Sequence, residues 1–311
     1  MNNLRSQRGQ AMVLSVAFLA VLLGMGALVL DVGSWYRADR DAQKTADAAA
    51  LAAAQKLPDD PGAATGLALH YADENGGGLL SSDVQLLGSD RIKVTVKRPA
   101  PGYFAKLFGM GEVEVRATAT AKVGPPASAL YVAPIVVNIE HPKLKCAPGC
   151  FGEETELEYY HLKTGSGKGP TEPDGAGSFG FINLDGSDSN PGTSVLGDWI
   201  RYGFDKYMEA NTNYPARTGN PFSSSNVGDV LDEKMAAGEE LLFPIYDKLT
   251  GTGSGADYHI VGWVAFHLTG MDLSGTNEKF YGYFTKTIWQ GIQGHSGSSY
   301  SPGVGVVELV E

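Results

Sequence analysis

RGQAMVLSVAFLAVLLGMGALVLDVG, residues 8–33, decides how the rest of the chain is read. A basic residue opens it, a long apolar run follows and an acid closes it. Ala11 to Leu30 are twenty residues with one hydroxyl, Ser15, and no charge. Roughly 20 apolar residues, rising about 1.5 Å each, span the hydrocarbon core of a bilayer. A secretory signal has a shorter apolar region, about 7 to 15 residues, closed by a small-residue cleavage site. Here DVGSWYRADR comes next, and the A-x-A patterns of ADAAALAAA lie far downstream. The segment reads as a retained anchor. Arg5 and Arg8 precede it with no acid among the first ten residues, whereas Asp31, Asp39 and Asp41 follow, mixed with Arg37 and Arg40. The positive-inside rule then places residues 1–10 in the cytoplasm. The expected arrangement is a single pass of the inner or plasma membrane at residues 11–30, with everything after it extracytoplasmic.

The helical pattern does not stop at Leu30. SWYRADRDAQKTADAAALAAAQKL has no Pro or Gly and is rich in Ala, the best helix former. Trp35 and Tyr36 fall where an interfacial aromatic belt belongs. Pro58 and PDDPG end the pattern, so residues 31–57 form a helical extension. Ala46, Ala49, Ala50 and Ala53 stand at i, i+3, i+4 and i+7 and share one face. Small residues let another helix approach closely. Two occupants of that face stay open: this chain's own next domain, or a partner helix in a helix-mediated oligomer.

The run RGQAMVLSVAFLAVLLGMGALVLDVGSWYRADRDAQKTADAAALAAAQ, residues 8–55, resembles the N-terminal segment of TadE/TadG-type proteins of the Flp (tight-adherence) pilus assembly system. The shared features are the RGQA start, the apolar span, the exit DVG followed by an aromatic pair, and the Ala-Asp-Ala-rich tail. The resemblance covers about the first 57 residues. Pseudopilins of this system resemble prepilins, with a Gly and, five positions later, a Glu. Here Gly9 is followed at that distance by Leu14, which favours the uncleaved, TadG-like kind. The resemblance implies a membrane-anchored scaffolding component of a Tad-type pilus assembly or secretion apparatus. It would be no enzyme and need no cofactor. Its partners would be other Tad/Flp assembly proteins, and membrane lipid through residues 11–30. A minor pseudopilin within the pilus is one alternative. An anchored surface adhesin or metal-dependent binding protein is another.

Residues 58–123 read as a small α/β unit similar in layout to a pilin head. AATGLALHYADENGG is a helix with Ala64, Leu67 and Tyr71 on one face, stopped by Asn75-Gly76. SDVQLL and RIKVTVKR form a hairpin, PGYFAKLFG a short helix, and EVEVRATATAKV a long strand. GPPAS, residues 124–128, is expected to be a linker. Residues 129–311 read as a β-rich antiparallel sandwich or barrel-like domain, making the chain α+β. Its strand candidates are ALYVAPIVVNIE, ELEYYHLK, GSFGFINLD, ELLFPIYDKL, YHIVGWVAFHLT, KFYGYFTKTIW and GVGVVELV. SVLGDWIRYGFDKYMEA, capped by Ser194, and SNVGDVLDEKMAAG are inserted helices.

Composition narrows the chemistry. The net charge is −11 with no basic stripe outside the first residues, so no nucleic-acid partner is expected. The two cysteines, Cys146 and Cys150 in CAPGC, are too few for a disulfide framework and lack a second pair for structural zinc. In an oxidising compartment they are expected to pair with each other across the turn-permitting APG. DGSDS, Asp185 to Ser189, resembles the D-x-S-x-S metal pattern of the von Willebrand A domain that some TadG-like proteins carry, but 126 residues follow Asp185, too few for the remaining strand–helix repeats of that fold, and it reads as a surface turn. His141, His161, His259, His267 and His295 make no metal motif, and Glu153, Glu154, Glu156 and Glu158 read as a solvated strand face. GTGSG, residues 251–255, lacks the Lys and following helix of a phosphate loop and reads as a hairpin tip. No catalytic constellation stands out.

Overall fold

The computed structural model describes residues 4–159, 178–187, 189–274, 278–294 and 299–310. Tyr160 to Lys163 of the expected strand ELEYYHLK, together with His161, Asp188 and His295, lie outside them. The chain divides into two compact units, Met1–Lys122 with Glu308–Glu311, and Val123–Val307.

The first unit is built on α1 (Leu4–Ala54), followed by α2 (Pro61–Glu74) and the strands β1 (Val84–Leu86), β2 (Arg91–Pro101) and β3 (Glu112–Gly124). At about 1.5 Å per residue, the 51 residues of α1 extend about 76 Å. From Ala11 to Leu30 nearly every side chain is exposed. The C-terminal half packs on α2 and β2. Antiparallel pairing joins β1 to β2 and β2 to β3 over the full length of β2, from Arg91↔Lys122 to Pro101↔Glu112. Alternation along β2 turns Ile92, Val94 and Val96 inward. Near the chain's end, the Val310 N–H donates to the Thr120 carbonyl at 2.9 Å.

Asp60 caps α2 by accepting from the Ala63 N–H, with Pro61 in the first turn. The buried face of α2 is Ala64, Ala68 and Ala72, while Tyr71 is exposed. The sequence pattern placed Ala64 on this face and added Leu67, which is half-buried, and Tyr71. Against an alanine surface the closest packing comes from alanine, so the largest side chains turn away from it. The expected short helix in PGYFAKLFG is a single 3₁₀ turn, Ala105–Phe108, closed by left-handed Gly109.

The second unit opens with β4 (Pro126–Ala129), β5 (Ile135–Asn138) and the one-turn α3 (Pro142–Lys145). Next come β6 (Thr155–Tyr159), β7 (Ser178–Phe181), α4 (Thr193–Tyr202), β8 (Met208–Glu209) and β9 (Thr212–Pro215). Then follow α5 (Ser225–Ala237), β10 (Glu240–Thr250), β11 (Asp257–Asp272) and β12 (Lys279–Thr285). The last are β13 (Thr287–Ile288), β14 (Gly291–Gln293) and β15 (Val304–Leu309). The expected linker is thus largely strand: β4 pairs antiparallel with both β14 and β8.

The main sheet runs β10-β5-β7-β6-β12-β11, and β10 also pairs β11, so six strands close into a ring with β9 added on β11. Closure removes the exposed edges that an open sheet presents. The ring is not purely antiparallel. β10 runs parallel to β5, and β6 runs parallel to β7. Alternate residues from all six strands, among them Val137, Leu157, Phe179, Phe243, Phe266 and Phe280, meet in one buried cluster joined by Ile200 of α4 and Leu231 of α5. Residues of the opposite parity, including Val136, Leu242 and Ala265, fall into a second cluster with Val132, Phe204 and Met208, joined by Tyr258 and Ile260, which a bulge in β11 turns to that side.

Helix α4 stops well before the end of the helical pattern. Gly203 takes φ +73, and a Cβ there would lie 2.4 Å from Tyr131 Cα, so FDKYMEA leaves the helix and enters β8. The close contact of α4 with α5 rests on Gly197, where a Cβ would stand 2.6 Å from the Asn226 carbonyl oxygen. Arg201 closes the pair with a two-pronged contact to Glu233, both bonds 2.8 Å.

Candidate functional site

The most distinctive feature is the apolar half of α1 and the way the first unit grips the helix beyond it. The apolar stretch has the length and composition of a membrane span, and none of its most apolar window is covered by the rest of the protein. A core helix of that composition would be buried.

Asp31, the first charged residue after the span, is buried. Its carboxylate accepts backbone N–H groups from Tyr103 (2.7 Å), Phe104 (3.1 Å) and Ala105 (2.6 Å), the start of the 3₁₀ turn. Burial alone would raise the Asp31 pKa, but the donors from Phe104, Ala105 and Tyr103 outweigh it and hold the carboxyl below its ordinary range. One turn on, Ser34 Oγ donates to the Pro101 carbonyl at 2.7 Å. The β2–β3 tip is therefore tied directly to the end of the span. Tyr36 is exposed and lies under the Arg40 guanidinium, whose Nε donates to the phenol oxygen at 3.0 Å.

A second grip lies three turns further along. Thr45 is fully buried, with its Oγ1 2.9 Å from the Asp41 carbonyl and 2.7 Å from the Asn75 carbonyl. Arg98 Nη2 donates to that hydroxyl at 2.8 Å and to the Asn75 carbonyl at 2.6 Å. One guanidinium thus joins α1, the end of α2 and β2.

Beyond these grips lies the alanine face. Ala46, Ala49, Ala50 and Ala53 are each 0 % exposed. The unit packs its own α2 and β2 on this half of α1.

In the second unit Cys146 and Cys150 form a disulfide with a Cα separation of 5.7 Å, inside the range such bonds require. Beside it, His141 is buried against the Phe284 ring and caps α3, its Nδ1 accepting from the Lys143 N–H at 3.1 Å. Burial, with the Lys143 charge adding to it, pulls the imidazole down to about 4. Asp185 sits in a turn that satisfies itself: its Oδ1 accepts from the Ser187 N–H at 2.7 Å, and the Ser187 and Ser189 hydroxyls are 2.6 Å apart. Among the described residues, no group of three or more His, Cys, Asp or Glu is placed to hold a metal ion. Along β6, Glu156 and Glu158 point outward while Leu157 and Tyr159 point in, and Glu156 pairs with Lys279 at 2.5 Å. A cleft of about 330 Å³ lies there, lined by Glu154, Thr155, Glu156, Thr269, Tyr281 and Gly282. GTGSG forms the turn between β10 and β11.

Residues 9–56 match the family described as "Putative Flp pilus-assembly TadE/G-like". The match covers the apolar span and the packed half of α1, and ends within two residues of Pro58. No curated protein matches the chain, and no solved structure does. The matched segment is thus similar to a putative Flp pilus-assembly segment, and it lies on a helix whose apolar half has the length and composition of a membrane span. Asp31, Thr45 and Arg98 are the residues that sequence reading missed. The available signals were an acid directly after the span and a lone hydroxyl among alanines.

Proposed function

We propose that the protein is a single-pass, membrane-anchored structural component of a Tad-type pilus assembly or secretion apparatus. The observation that carries this reading is the coincidence of the family match, residues 9–56, with an uncovered apolar helix that runs unbroken into a folded unit. The N-terminus lies in the cytoplasm, from Arg5 and Arg8 ahead of the span, and the residues beyond the span lie on the other side. The role is scaffolding rather than catalysis. The first unit holds its helix rigidly at the membrane, and the β-rich unit offers surfaces to other Tad/Flp components. Deleting the gene and complementing it with the full chain tests this. Loss of surface pili on deletion and their return on complementation are expected. Unchanged piliation would refute it.

A second reading, a minor pilin-like subunit, draws on one observation. An unbroken helix with an open apolar half and a packed half can be stacked side by side in a filament. Leu14, where prepilins carry Glu, weighs against it. Recovery of the protein in sheared pilus fractions would favour this second reading over the first.

A further inference from the structure

The tip of the β2–β3 hairpin carries large apolar side chains that the fold leaves uncovered. Leu107 is 80 % exposed, Phe108 82 %, Tyr103 64 % and Met110 53 %. Residues 101–111, PGYFAKLFGMG, contain no acid and a single basic residue, Lys106. Soluble surfaces seldom gather apolar side chains this closely without a partner. The position of the tip points to that partner. Asp31 directly follows the apolar span, and it holds the backbone N–H groups of Tyr103, Phe104 and Ala105 at 2.6–3.1 Å. Ser34 holds Pro101 as well, at 2.7 Å. The tip is fixed at the depth where the span ends and cannot move away without breaking these bonds.

We propose that residues 103–110 form a second membrane contact, a wedge that enters the boundary between lipid headgroups and acyl chains beside the span. Amphipathic segments settle about 5–10 Å into that boundary. Phe108, Leu107 and Met110 enter the acyl side. Tyr103 sits at the headgroup level, where aromatic residues with a polar tip collect. The Lys106 stem lies along the apolar surface and carries its ammonium to the lipid phosphates. The Asp31 cap allows this by occupying N–H groups that would otherwise be carried bare toward the bilayer. The wedge fixes the rotation and tilt of the span, because a lone span is free to turn about its own axis and a second contact beside it is not. The proposal rests on the anchored reading of residues 11–30.

The test uses the full chain with Cys146→Ser and Cys150→Ser, reconstituted into phosphatidylcholine–phosphatidylglycerol vesicles. A nitroxide is attached singly at Leu22→Cys, Leu86→Cys, Leu107→Cys or Phe108→Cys, and its collisions with oxygen and with a water-soluble nickel chelate are compared. Leu22 reports the span. Leu86 pairs with Ile92, nine residues along β2 from Pro101 and about 30 Å from the tip, so it reports water. Labels at 107 and 108 are expected to show an oxygen-to-nickel ratio several-fold above that at 86, close to the ratio at 22. A lipid-like ratio at 22 with water-like ratios at 107 and 108 would overturn the wedge and leave the anchor standing. Labels at 107 and 108 shielded from both probes would mean that protein covers the tip, and would overturn it too. A water-like ratio at 22 would overturn the anchor and the wedge together.

Discussion

Replacing Ala49 by Leu tests whether α1 is clamped by its own unit. Ala49 is 0 % exposed, as are Ala46, Ala50 and Ala53 around it and Ala64 and Ala68 on α2. Leu adds three carbons where the structure leaves no room. In water the same three carbons would favour burial by about 0.8 kcal/mol each. In a packed interface they force off-rotamer side chains or backbone shifts, for a net cost of about 1–3 kcal/mol. For a unit of this size, each kcal/mol lowers the melting temperature by roughly 3–6 °C, so a loss of about 3–18 °C is expected, centred near 9 °C. Ala20→Leu is the control: it lies in the exposed apolar stretch and is expected to change nothing. The assay is hydrogen exchange of the full chain in detergent, read at peptides covering residues 61–74, with thermal unfolding alongside. Ala49→Leu is expected to speed exchange in α2 well above the control. Protection equal to that of Ala20→Leu would refute the clamp. If co-purification with another Tad protein failed while α2 stayed protected, the alanine face would be an external interface after all.

Three further outcomes follow from the same structure. Arg98→Met removes charged hydrogen bonds to buried Thr45 and to the Asn75 carbonyl, and is expected to destabilise the first unit by about 2–3 kcal/mol in chemical unfolding of the full chain. His141 has its folded pKa pulled from 6.5 to about 4, so unfolding takes up a proton between those values. Stability is complete above pH 6.5 and falls as the pH drops toward 4, by up to about 3 kcal/mol. His141→Asn, which keeps an acceptor for the Lys143 N–H, is expected to flatten that slope in urea titrations followed by the fluorescence of buried Trp263. Reducing Cys146–Cys150, which are four residues apart, is expected to cost about 2 kcal/mol by loop-closure entropy. Protein taken from its native envelope without reductant is expected to show no titratable thiol.

Much of the first unit was legible because its signals are local. The apolar run, the alanine-rich extension and Pro58 together define α1, and the alternation of RIKVTVKR and EVEVRATATAKV defines β2 and β3. The buried face of α2 was misread because alanine carries little weight in a hydrophobic pattern, although it is the residue that close helix contact selects. The ring in the second unit was legible only as strands. Which segments pair, and the parallel course of β5 with β10 and of β6 with β7, depend on contacts far apart in sequence that no local period encodes. GPPAS read as a linker because Pro and Gly break patterns, yet Pro126 serves in β4 of a small three-stranded sheet. FDKYMEA read as helix because Gly203 carries no sign in the sequence that it must take positive φ. Asp31 could be seen only as a charge at a membrane exit. Its role as a cap involves backbone groups 72 to 74 residues away.

The claim on which the account depends is that residues 11–30 stay in the protein and in the membrane. Native membranes washed at alkaline pH, then treated with protease on the non-cytoplasmic face and analysed by mass spectrometry, test it most directly. The account predicts that the washed membranes retain the intact chain, and that protease removes residues beyond the span while a fragment containing Ala11–Leu30 stays protected. A soluble protein whose first residue lies beyond Leu30, or a chain released by the wash, would contradict it.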